Sequence, residues 1–88
     1  MEVSILFDQA VASSKTLTKK PGNEILLQLY ALYKQSTEGD VNTAAPANPF
    51  DFVAKAKYNA WEQLKGRPKE TAMQAYVDLV TTLKKNSW

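Results

Sequence analysis

The sequence predicts an all-α fold, and three observations predict it. Apolar residues recur at intervals of three and four, the spacing that lines one face of a helix. Glycine and proline fall between these stretches rather than inside them. No stretch alternates apolar and polar residues as a half-buried strand does. With 88 residues there is room for one core, so residues 1–88 are read as a single domain.

Four helices are expected in order. The first runs from about Ser4 to Lys15, with a stripe of Leu6, Phe7, Ala10, Val11 and Ser14; Ser4 is its expected cap and Asp8 lies towards its positive end. Leu17 packs just past that end. Lys19-Lys20-Pro21-Gly22 breaks the chain, and Asn23 caps a second helix reading Glu24 to about Thr37. Ile25, Leu26, Leu27, Leu29, Tyr30, Leu32 and Tyr33 make this helix apolar on more than one side, so it touches two things rather than one. Gly39 ends it. Residues 39–48 form a long connection with Asn42, Pro46 and Asn48. The third helix starts either with Asn48 as cap and Pro49 in first position or with Asp51 as cap, carries Phe52, Ala56, Tyr58, Ala60, Trp61 and Leu64, and ends at Gly66. The fourth begins at Pro68, buries Ala72, Met73, Tyr76, Val77, Val80 and Leu83, and closes on Lys84 and Lys85, where cations favour the helix dipole.

Composition argues against catalysis. The chain has no cysteine, which excludes disulfides, thiolate nucleophiles and sulfur-ligated metals. It has no histidine, which removes the commonest general base and metal ligand. A thioesterase would need a nucleophile and base pair that the sequence does not offer. The net charge of +2 is too small for a typical nucleic-acid binder, yet leaves room for a local basic patch meeting a small anion. The N-terminus lacks a basic segment and a long apolar run, so it does not read as a signal peptide. No stretch approaches the roughly 18 apolar residues of a membrane span. Absence of cysteine fits the reducing cytosol.

Three basic residues draw the eye. Tyr30 and Lys34 are four apart and share a helix face, as do Lys57 and Trp61, while Lys15 closes the first helix. Lysine is a mobile point charge suited to phosphate, and a tyrosine ring can stack on a base. A ligand with a phosphate, a purine and an apolar tail would use all of them. Each has an ordinary reading too: half-buried helix aromatics for Tyr30, Tyr33 and Tyr76, and solvated lysines with apolar stems. Glu38 and Asp40 read as solvated turn residues.

The string Leu29-Tyr30-Ala31-Leu32-Tyr33-Lys34-Gln35-Ser36-Thr37-Glu38-Gly39-Asp40-Val41-Asn42 resembles the central signature of the acyl-CoA-binding protein family. Asp51-Phe52, Ala56-Lys57-Tyr58, Ala60-Trp61 and Leu64-Lys65-Gly66 match its next block, Lys69-Glu70, Ala72-Met73 and Tyr76 its last, and Lys20-Pro21 its first loop. The resemblance runs from Phe7 to about Leu83. It implies an up-down-down-up four-helix bundle with a long crossover between the second and third helices. It further implies a cytoplasmic, monomeric carrier and pool former for medium- to long-chain acyl-CoA, not an enzyme. Acyl-CoA is then cargo and no cofactor is needed; acyl-CoA-using enzymes or membrane surfaces are transient partners, and nucleic acid is not one.

Carried over by resemblance, Tyr30, Lys34 and Lys57 surround the adenine and ribose 3′-phosphate, Lys15 lies towards the other phosphates and pantetheine, and Tyr76 closes the site. Leu26, Leu27 and Ala31 line an acyl groove with Ala10 opposite, and Leu32 and Tyr33 complete the set on the second helix. Val53, Lys55 and Ala56 are further candidates. The chain departs from the family pattern in four places. The segment at residues 45–51 is one residue longer. Val53 stands where a lysine is common, with Lys55 as its substitute. Tyr58 replaces a common tryptophan, and Pro68 a usual serine. The competing expectation is a helical protein-interaction module that uses the apolar side of the second helix and takes no small ligand. A membrane-surface binder using Lys19 and Lys20 is a further alternative.

Overall fold

Four helices form where the periodicity places them: α1 Val3–Ser14, α2 Asn23–Glu38, α3 Phe52–Glu62 and α4 Lys69–Asn86. These come from a computed structural model that describes residues 2–16 and 22–86. The break at Lys19-Lys20-Pro21 and the packing of Leu17 lie outside the described residues.

Helix starts differ from expectation in an instructive way. Ser4 does not cap α1; Glu2 precedes the helix and makes no side-chain capping bond, and Asp8 lies beyond the first turn. Asn23 is the first helical residue of α2 and not its cap, a position held by Gly22. At α3 the Asp51 alternative holds, since its carboxylate accepts the Ala54 N–H at 3.0 Å. Asn48 caps the preceding turn instead, its Oδ1 accepting the Phe50 N–H at 2.9 Å. Pro68 sits one residue before α4, its carbonyl accepting the Ala72 N–H.

The directions of the helices follow from side-chain partners. Lys57 lies over the Tyr30 ring and Lys34 over the Trp61 ring, so α2 and α3 run the same way. Gln35, at the end of α2, donates to the Arg67 carbonyl just before α4, so α4 returns antiparallel. Phe7 stacks on Tyr33 while Ser14 and Lys15 face Leu26 and Tyr30, so α1 opposes α2. The result is the up-down-down-up bundle, with residues 39–51 as the crossover between the parallel pair. α4 packs on both α1 and α2, and α3 packs on α2. The core gathers Phe7, Ala10, Leu29, Leu32, Ala72, Tyr76 and Val80 from α1, α2 and α4. Trp61 is the buried residue of α3.

One polar joint fixes the far end. Gly39 takes φ +81°, a conformation that only glycine adopts cheaply, and turns the chain so that Asp40 faces back. The Asp40 Oδ1 accepts from Gly66 N at 2.7 Å and from Gln35 Nε2 at 2.9 Å. Gln35 Nε2 also donates to the Arg67 carbonyl at 2.8 Å, and Trp61 Nε1 donates to the Gly39 carbonyl at 2.9 Å. The Gln35 amide is fully buried, and flipping it would set its oxygen against the Asp40 carboxylate and the Arg67 carbonyl. Asp40 is therefore a structural tie and not the merely solvated turn residue expected. The Gly66 N–H, then the Gln35 amide, hold its carboxyl below the usual carboxylate range. The linkage has a definite sign: the tie acts in full above that ordinary range and is lost as pH falls through the depressed value.

Candidate functional site

The closed joint holds one end of α2 and leaves the other end flanked by space. Between α2 and the start of α3 lies a hollow of about 400 Å³, lined by Asn23, Leu26, Leu27, Phe52, Val53, Ala56 and Lys57. Between α1 and α2 lies a second, of about 360 Å³, lined by Val11, Ser14, Lys15, Leu26, Leu29, Tyr30, Tyr33 and Tyr76. Leu26 lines both, so the two hollows adjoin at that side chain and make a two-part trough along the first half of α2. Each lies in the volume range of about 300–1,000 Å³ that small-molecule sites occupy.

The trough carries apolar walls and a cationic rim. Leu26 and Leu27 supply the walls, and the half-buried Tyr30 stands beside them. Lys57 Nζ sits 5.4 Å from the Tyr30 ring centre, a cation–π arrangement that places a charge next to an aromatic platform. Tyr76 is almost fully buried, its ring edge-on to Phe7 at 5.1 Å and its hydroxyl 3.2 Å from Ser14 Oγ, so it floors the second hollow. Lys15, exposed at the end of α1, closes that hollow at the other side.

Lys34 stands slightly apart. Its ammonium pairs with Glu38 at 2.5 Å and lies 5.2 Å from the Trp61 ring centre. The hydrogen bond to Glu38 raises its pKa against an opposing desolvation, and the same bond lowers that of Glu38. Glu38 is also within 3.5 Å of the Asn42 amide. The carboxylate thus occupies the place at Lys34 that an incoming anion would take.

A sequence profile described as "Acyl CoA binding protein" matches residues 4–80. The chain belongs to the acyl-CoA-binding protein family. It is 48% identical over 81 residues to acyl-CoA-binding protein homolog 1 of Caenorhabditis elegans, covering 92% of this chain and 93% of that relative. It is 54% identical over 81 residues to enoyl-CoA delta isomerase 2 of Rattus norvegicus, where it spans only 20% of that protein's length. Among solved structures, the crystal structure of Oryza sativa acyl-CoA-binding protein 2 superposes with a TM-score of 0.88 at 36% identity, covering 94% of this chain and 91% of that one.

Within this family member, the residues expected from the signature divide into two groups. Leu26, Leu27, Tyr30, Lys57, Val53 and Ala56, with Lys15, Tyr33 and Tyr76, come together along the trough. Ala31 and Leu32 do not; both are buried, and they line a separate hollow of about 360 Å³ with Ala60, Leu64, Ala75 and Leu79 on the far side of α2. Ala10 is a core residue, 7% exposed, and lines neither half of the trough. Lys55 is exposed and also outside it. The residues that sequence reasoning did not single out as site residues are Asn23, Val11, Ser14, Leu29 and Phe52. Phe52 had a readable signal: it precedes Ala56 by one helical turn and shares that face.

Proposed function

We propose that this chain binds medium- to long-chain acyl-CoA thioesters and serves as a monomeric cytoplasmic carrier and pool former, catalysing nothing on them. The observation that carries the reading is the trough itself, two adjoining apolar hollows along the first half of α2 with Lys57 over Tyr30 on the rim of one and Lys15 at the end of the other. Membership of the family supports the ligand class and disfavours the interaction module that takes no small molecule.

The two ends of such a ligand meet different physics. A phosphate bears charge that lysine ammonium groups meet with charge-assisted hydrogen bonds, and the adenine offers a face to Tyr30. These contacts choose coenzyme A over other heads and weaken with salt. The apolar tail supplies the larger free energy. At about 0.8 kcal/mol per buried CH₂, a hexadecanoyl chain offers up to about 12 kcal/mol before ordering and association costs reduce it. The Cα envelope measures 38 × 28 × 16 Å, so its thinnest axis holds about two packed helix layers. A sealed cavity for the tail does not fit in such a slab, so an open groove with the head group at its rim is the workable arrangement.

Calorimetry with three ligands tests the reading. Hexadecanoyl-CoA is expected to bind orders of magnitude more tightly than free coenzyme A or hexadecanoic acid, because each of the latter engages one part of the trough. Equal affinities for all three would sink it.

A further inference from the structure

We propose that the hollow on the far side of α2 is a second ligand site, one that takes a short amphipathic monocarboxylate. It measures about 360 Å³ and shares no lining residue with the trough. Its volume also lies within the range of small-molecule sites.

The packing of the helices leaves this space. α3 and α4 both pack on α2 and, among the described residues, not on each other. A groove therefore runs between them with α2 as its floor. Ala31 lies on the floor, and Ala60 and Ala75 stand on the two walls. Three facing alanines leave room that larger side chains would fill. Leu64 and Leu79, both half-buried, extend the walls as apolar surface. Displacing water from such walls favours an apolar ligand body.

Charge sits at one end of the groove. Arg67 is the charged residue among those lining it, and no carboxylate joins it there. Its guanidinium has no ion-pair or hydrogen-bond partner among the described residues. Gln35 Nε2 donates to the Arg67 carbonyl, which sets Arg67 level with Gln35 on α2. Gln63 lines the same hollow just before Arg67 in the chain. Gln28, exposed, lines the opposite end; it precedes Gln35 by seven residues, about 10 Å along the helix.

This layout selects the occupant. A planar guanidinium pairs with a carboxylate through two parallel hydrogen bonds. One cation and neutral amides match a single carboxylate and not the several phosphates of coenzyme A. The apolar body then lies over Ala31 between Leu64 and Leu79. A groove about 10 Å long suits a chain of medium length and is too short for a hexadecanoyl tail. α2 thus offers a ligand surface on each of its two apolar sides.

Carbon–proton NMR of the full chain tests the site, first alone and then with saturating hexadecanoyl-CoA. The probes are sodium octanoate and, as its uncharged counterpart, octanol. Octanoate is expected to shift the Ala31, Ala60 and Ala75 methyls saturably in both samples, with a dissociation constant of about 1 mM. Arg67→Gln is expected to weaken octanoate about fivefold or more and to leave octanol unchanged. Ala75→Leu, which fills the hollow, is expected to weaken both. No saturable shift at these methyls, or equal octanoate affinity of Arg67→Gln and the unaltered chain, overturns the proposal. Shifts confined to Leu26, Leu27 and Val53 overturn it too, by placing octanoate in the trough. The ligand-free titration decides the site whether or not the trough takes hexadecanoyl-CoA.

Discussion

The two halves of α2 are made of similar residues and do opposite things. In the first half, Leu26, Leu27 and Tyr30 are half-buried against open space between α1 and α3. In the second half, Leu32, Gln35 and Ser36 are buried, and Gln35 and Asp40 bind the helix to the turn before α4. Even the buried Ser36 hydroxyl is satisfied, donating to the Leu32 carbonyl at 2.6 Å. One end of the helix is fixed so that the other can stand away from its neighbours without collapsing onto them. A trough in so small a domain needs such a brace, since apolar walls left free would close by packing on each other.

If that division is right, a change at the closed end should cost stability and a change at the open end should cost affinity. The largest expected effect is at Trp61. Its ring is 3% exposed, its Nε1 holds the Gly39 carbonyl, and Lys34 lies over its face. Trp61→Ala is expected to lose about 3–5 kcal/mol in denaturant unfolding. A loss below about 1 kcal/mol would mean that the far end is not braced by this joint. Next comes Lys57→Ala at the open end, expected to weaken hexadecanoyl-CoA binding about tenfold at an unchanged thermal midpoint. Unchanged affinity would remove Lys57 from the rim, and a lowered midpoint would break the separation between the halves.

The smallest effect falls at their boundary. Glu38→Gln removes the carboxylate that occupies Lys34, so acyl-CoA is expected to bind about two- to fivefold more tightly, the modest scale of exposed ion pairs. The gain should fade as salt rises. Titrations of both proteins at two salt concentrations decide it, and an unchanged affinity would place Lys34 outside the head-group contacts.

The same boundary separates what could be read in the sequence from what could not. Gly39, Gly66 and Pro68 punctuate the chain where the helices break, and Asp51 carries its capping chemistry in its own side chain. Local residues decide such features, so they are legible locally. The two-sided character of α2 was legible too, since periodicity shows which positions share a face. It cannot show what lies opposite that face. Ala31 was expected in the acyl groove beside Leu26 and Leu27, and Leu32 among the ligand contacts, yet both are buried on the far side towards α3 and α4. Phe52 reads as one more apolar residue of the third helix, yet it is 72% exposed at the groove lip.

The sequence alone determined that there would be four helices, that cysteine and histidine chemistry was absent, and that α2 would meet two environments. Only the tertiary structure decided which environment each residue meets, and that Asp40 is a tie. The reason is distance along the chain: the Asp40 contact with Gly66 spans 26 residues and that of Gln35 with Arg67 spans 32. No local pattern encodes such a partner, because it exists only once the bundle has closed.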